Sequence, residues 1–214
     1  MGTLASPAAS ASAHGSFSGI ALWLTPASSA VETDLASLIS SLSVAHSTPA
    51  FSPHVTLISG IPSDTSIPAI LSQLATAVSA WRASHQPPLH LGLGALGSHA
   101  SQGLFFQYLF SKILPTPELL ALRQAARASF FPARKAEEDD YFPHLSLAYG
   151  EDSEKDGRSV EAIMRELMEK GEVKQVGGEK WSVQGVDGLG VTEITVVRCD
   201  GKAEQWQTLG SVPL

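Results

Sequence analysis

Two of the seven histidines, His54 and His144, stand in one repeated frame: an aromatic residue, any residue, proline, histidine, an apolar residue, a hydroxyl and an apolar residue. The first copy is Phe51-Ser52-Pro53-His54-Val55-Thr56-Leu57 and the second Tyr141-Phe142-Pro143-His144-Leu145-Ser146-Leu147. The likeness runs on through Gly60 and Gly150 at a constant offset of 90 residues, close to half the chain, as two pseudo-equivalent lobes would show. The bare pattern histidine-x-hydroxyl carries little, because it also occurs at His14, His46 and His99. Those three lie in an Ala/Ser-rich segment, at a helix end and in a Gly/Ser turn. The surrounding frame singles out His54 and His144.

Strand geometry gives the frame its chemistry. Residues i and i+2 of a strand face the same side, about 6.6 Å apart. His54 is therefore expected to point with Thr56, and His144 with Ser146, around one cavity, while Val55, Leu57, Leu145 and Leu147 face the core. Two imidazoles and two hydroxyls suit in-line displacement at phosphorus. One neutral histidine takes a proton from water, and the other, protonated, gives one to the leaving oxygen. The hydroxyls donate to the charged non-bridging oxygens. A zinc site is the competing reading, but no H-E-x-x-H or comparable ligand spacing accompanies the histidines, so no metal and no cofactor is expected.

The elements that must hold these residues follow from periodicity. Gly19 to Leu24 reads as an apolar strand, followed by a helix capped at Ser28 or Ser29 with Val31, Leu35, Leu38, Ile39 and Leu42 at helical spacing. A strand over His54 to Ser59 precedes a helix that starts near Ser66 with Pro68 in its first turn. Alternation over 89–96 predicts one arm of a hairpin, with its turn at 98–103 and its second arm at 104–110. A helix from Thr116-Pro117 to Phe130, a strand over His144 to Tyr149 and an amphipathic helix over 160–168 stopped by Gly171 come next. Strands near 181–186 and 191–199 close the chain. Such mixed alternation predicts an α+β fold rather than a doubly wound parallel sheet.

Composition narrows the classes. With 21 acidic against 14 basic residues the net charge is −7, and no basic stripe suited to a long nucleic acid is visible. A small anionic partner fits better. No run reaches the roughly 18 apolar residues of a membrane span. The lone Cys199 forms no internal bridge and suits a reducing compartment. Residues 1–16 are expected to be a disordered Ala/Ser-rich tail, and residues 17–214 a single domain. Gly92-x-Gly94-x-x-Gly97 matches a dinucleotide fingerprint on paper, but the turn after it offers no helix to meet a pyrophosphate. The acidic run 137–140 and the Arg134-Lys135 pair before it read as a surface loop.

The paired frames, with the opening strand Ile20-Ala21-Leu22-Trp23-Leu24-Thr25-Pro26, resemble the 2H phosphoesterase family, in particular its fungal and plant 2′,3′-cyclic-nucleotide 3′-phosphodiesterase branch. The resemblance spans the chain from about residue 17 onward. It implies a bilobal fold, with antiparallel sheets lining a central cleft and helices outside. It also implies metal-independent hydrolysis of 2′,3′-cyclic nucleotides to 2′-phosphates, and of ADP-ribose 1″,2″-cyclic phosphate, a by-product of tRNA splicing. His54 and His144 would be the acid–base pair, and Thr56 and Ser146 would bind phosphate. The branch places a tyrosine three residues after the second hydroxyl, and Tyr149 fits. Strict alternation turns Tyr149 to the opposite face, so that role needs a bend at the strand end. Trp23 offers a stacking surface for a base or ordinary core packing. The expected protein is a cytoplasmic monomer, for which peripheral attachment to an organelle such as the Golgi would leave the same sequence signature. Competing readings are an RNA-end-processing enzyme of the family, exonuclease or 2′–5′ ligase-like, and a nucleotide-binding module without chemistry.

Overall fold

The computed structural model describes residues 18–133, 141–151 and 159–214. The expectations for the segment 1–16, for Arg134-Lys135 and for the acidic run 137–140 fall outside the described residues. Ten strands and four α-helices alternate along them: β1 (Ile20–Leu24), α1 (Ser29–His46), β2 (Val55–Ile61), α2 (Ile67–Arg82), β3 (Leu89–Gly97), β4 (Leu109–Ile113), α3 (Pro117–Phe130), β5 (His144–Ala148), α4 (Val160–Glu169), β6 (Val173–Gly177), β7 (Lys180–Val183), β8 (Gly188–Val191), β9 (Glu193–Arg198) and β10 (Gln207–Pro213).

Eight strands form one antiparallel sheet in the order β10-β9-β1-β2-β5-β4-β3-β8, and β6 and β7 form a separate hairpin. The α+β expectation holds. The sheet divides into two four-stranded halves that meet where β2 pairs with β5 through Val55 and Leu145. These two residues hold the same place in the repeated frame. An antiparallel pair of equivalent residues lies on a pseudo-two-fold axis, which relates the lobes. The connecting helices cross it: α1, from the first lobe, packs beneath β5, and α3, from the second, beneath β2.

Helix ends follow local chemistry. Thr116 accepts from the Leu119 amide at 3.2 Å with Pro117 next to it, and Ser159 accepts from the Ala162 amide at 3.3 Å. After α4, Gly171 turns at φ +70°, a conformation glycine adopts without a Cβ penalty. The apolar stripes of the helices and the inward strand residues form one continuous core, in which Leu22, Leu35, Leu57, Leu74, Leu145 and Leu147 are fully buried.

Two expectations are corrected. The second arm of the hairpin lies at Leu109–Ile113, not 104–110, because Phe105–Gln107 form a 3₁₀ turn. The strand expected near 181–186 stops at Val183, where Gln184 (φ 52°) and Gly185 (φ 80°) turn the chain. β6, β8 and β10 were not foreseen. The paper match Gly92-x-Gly94-x-x-Gly97 lies in β3 and opens no α-helix. Gly97 serves packing instead, since a Cβ there would sit 2.6 Å from Cε2 of Phe110.

Candidate active site

The seam between the lobes places the chemistry. With Val55 opposite Leu145, one step either way sets His54 across from Ser146 and Thr56 across from His144, all on the sheet face away from the core. Both histidines, Thr56 and Ser146 line one cavity of about 200 Å³, as the strand argument anticipated. The repeat also fixes the rings. His54 Nδ1 lies 2.6 Å from the Ser52 carbonyl, and His144 Nδ1 lies 2.9 Å from the Phe142 carbonyl. In each frame the residue before proline thus accepts from Nδ1–H, which leaves Nε2 as the nitrogen that exchanges protons. Ser146 Oγ donates to the Phe106 carbonyl at 3.2 Å.

A duplicated β-bulge supplies the bend that a place for Tyr149 in the cleft requires. In the first lobe Trp23 pairs with Thr56, but Leu22 pairs with Ile58; in the second, Phe110 pairs with Ser146, but Leu109 pairs with Ala148. At equivalent places each histidine strand spends two residues on one residue of its neighbour. Leu57 and Ile58 are consequently both buried, as are Leu147 and Ala148. The next residue, Ser59 or Tyr149, returns to the cleft face, and both line the cavity. The Tyr149 hydroxyl lies 3.5 Å from His54 Nε2, and burial pushes its phenol far above the usual range, so it is neutral.

Trp23 lies flat on His54, with ring centroids 3.6 Å apart and planes 8° apart. That face of the indole is occupied by the imidazole, so Trp23 orients a histidine there and does not offer that face to a base. Phe110, its counterpart under the pseudo-two-fold, meets His144 edge-on at 5.4 Å. Phe51 stacks on Tyr149 at 3.8 Å, while Tyr141, its counterpart in the second frame, donates to the Thr56 carbonyl at 3.2 Å. Arg123 of α3 lies over the Tyr141 ring and donates to the Leu57 carbonyl. Second-lobe side chains therefore hold two successive carbonyls of β2, those of Thr56 and Leu57.

Burial sets the protonation states. His54 is 5% exposed, and loss of hydration, offset partly by the Ser52 carbonyl and reinforced by His144, lowers it to about 4. His144 is lowered as well, chiefly by burial, against the raising effect of the Phe142 carbonyl. At neutral pH His54 is a neutral imidazole. Cys199 also lines the cavity, but burial pushes its thiol up to about 12, so it is no thiolate nucleophile. Phe106, Gln107, Ser59 and Trp206 line the cavity too and were not among the residues expected from sequence. Ser59 had a signal: it aligns with Tyr149 in the repeat.

A bilobal antiparallel sheet with paired histidine-x-hydroxyl strands at its seam defines a 2H phosphoesterase. Residues 18–214 match the family described as cyclic phosphodiesterase-like protein, and the chain belongs to that family. A 2′,3′-cyclic-nucleotide 3′-phosphodiesterase from Yarrowia lipolytica is 26% identical over 228 residues, covering 90% of this chain and 98% of that protein. Among solved structures, E. coli LigT in complex with NADP+ superposes with a TM-score of 0.54 at 12% identity, covering 92% of this chain and 97% of that one. LigT in complex with 3′-AMP gives 0.52 at 14% identity, covering 92% and 98%. These likenesses show the fold. Among the described residues no helix is long and apolar enough to cross a membrane.

Proposed function

We propose that this cyclic phosphodiesterase opens 2′,3′-cyclic nucleotides to nucleoside 2′-phosphates, using His54 and His144 and no metal. The observation that carries the reading is the facing pair of imidazoles, each tied through Nδ1 and presenting Nε2, beside Thr56 and Ser146. His54, neutral, takes a proton from water as the water oxygen bonds to phosphorus. The P–O3′ bond breaks in line, and O3′ receives its proton from Nε2 of His144. The bound phosphate anion favours the protonated form of His144, against the burial that lowers it in the free protein. The Thr56 hydroxyl, and the Ser146 hydroxyl once it turns from the Phe106 carbonyl, would donate to the non-bridging oxygens as charge grows there.

The acidic chain, and a cavity that among the described residues is lined by no lysine or arginine, support a small substrate over a long RNA. ADP-ribose 1″,2″-cyclic phosphate, presented to the same groups, would open to the 1″-phosphate, which would place the protein in the metabolism of tRNA-splicing by-products. A cytoplasmic monomer, with residues 17–214 acting as one domain, completes the proposal. The test is turnover of adenosine 2′,3′-cyclic phosphate by the wild type, His54→Ala and His144→Ala. Loss of nearly all turnover in both folded variants is expected, by about 10² to 10⁴-fold. A His54→Ala protein with near-normal turnover would overturn the assignment.

A further inference from the structure

The two halves of the cleft are equivalent at the histidines and the hydroxyls but not at the residues that the bulges return to the cleft. Beyond His54 the returned residue is Tyr149, buried to 2% exposure, with its hydroxyl against Nε2 and its ring backed by Phe51 at 3.8 Å and flanked by Phe106 at 5.0 Å. Beyond His144, by the same pseudo-two-fold, the returned residue is Ser59, which is half-buried and ends in a hydroxymethyl group. The same cavity lining therefore carries a hydroxymethyl group on one flank where the other carries a phenol ring. At about 200 Å³ the cavity is smaller than the roughly 300–1,000 Å³ of sites that enclose a drug-sized ligand. It suits the cyclic phosphate, and the rest of a nucleotide must pass one flank.

We infer that Ser59 determines substrate specificity: the nucleoside leaves the catalytic cavity over Ser59, on the His144 flank, and the Ser59 hydroxyl meets its ribosyl oxygens. The opposite flank is closed by Tyr149 and the rings behind it. This rests on the cyclic-phosphate reading and adds the direction in which the substrate lies. It also accounts for an asymmetric substrate choosing one orientation between two nearly equivalent histidines.

The experiment restores the symmetry. Ser59→Tyr and wild type are assayed on adenosine 2′,3′-cyclic phosphate and on glycerol 1,2-cyclic phosphate, which has the strained ring but no nucleoside. In Ser59→Tyr the ratio of kcat/KM for the nucleoside substrate over the glycerol substrate falls about tenfold or more, because an added ring rejects the bulkier group. Ser59→Leu, a smaller intrusion, lowers the ratio in the same direction and serves if the tyrosine variant fails to fold. An unchanged ratio in the folded variants, with the wild type active on both substrates, overturns the role of Ser59 and leaves the cyclic-phosphate reading intact. A wild type inactive on both substrates overturns that reading and this inference with it.

Discussion

Acidification from pH 7 to pH 5 should destabilise the folded protein by about 2 kcal/mol through His54 alone, since its folded value of about 4 lies well below its ordinary 6.5. The unfolded chain takes up a proton at this site as pH falls through 6.5, whereas the folded protein resists until about 4. Between those limits the unfolded state holds more protons, so stability rises with pH across the window and falls on acidification. The full difference, on the order of 3 kcal/mol, is reached below pH 4 and is absent above about pH 7. Urea denaturation of wild type and His54→Gln at pH 7 and pH 5 isolates the effect, because contributions such as that of His144 are common to both proteins. The wild type should lose about 2 kcal/mol more than the variant between the two pH values. Parallel losses would refute the claim that burial holds His54 neutral, and with it the assignment of His54 as the base.

Trp23→Leu removes the ring stacked on His54 and admits water, so the His54 value followed by NMR titration should rise toward 6.5; an unmoved value would show that the stack does not shield it. Tyr141→Phe deletes the hydrogen bond to the Thr56 carbonyl and should cost about 1 kcal/mol in urea denaturation, against no change if that bond contributes nothing. Gly97→Ala drives a Cβ into the Phe110 ring and should cost about 1–3 kcal/mol. Adding Phe110→Leu should recover part of that loss, and a strictly additive double variant would contradict the contact.

The repeated frame carried most of the site, because a duplicated sequence folded on a pseudo-two-fold brings its own equivalents together. His54, Thr56, His144 and Ser146 were legible from two seven-residue stretches. The bulge was not. Alternation assumes one residue per step, and the sequences Leu57-Ile58 and Leu147-Ala148 read equally well as a regular strand or a bulged one. That ambiguity left the place of Tyr149 dependent on a bend that alternation does not foresee, and it hid Ser59. Phe106 and Trp206 arrive from 3₁₀ turns or the ends of them, where no periodicity points inward. β8, written Gly-Leu-Gly-Val, is too short and glycine-rich to stand out, and β6 and β10 are largely exposed, so neither carries the apolar run of a buried strand. Trp23 shows the complementary limit, since sequence placed it on the right strand but not flat on His54.

The most direct test of the central claim is phosphorus NMR of the product formed from a 2′,3′-cyclic nucleotide in excess EDTA. Two histidines acting without a metal predict steady conversion to the nucleoside 2′-phosphate, with no effect of the chelator. No conversion in EDTA, with turnover appearing only when a divalent metal is added, would contradict the account.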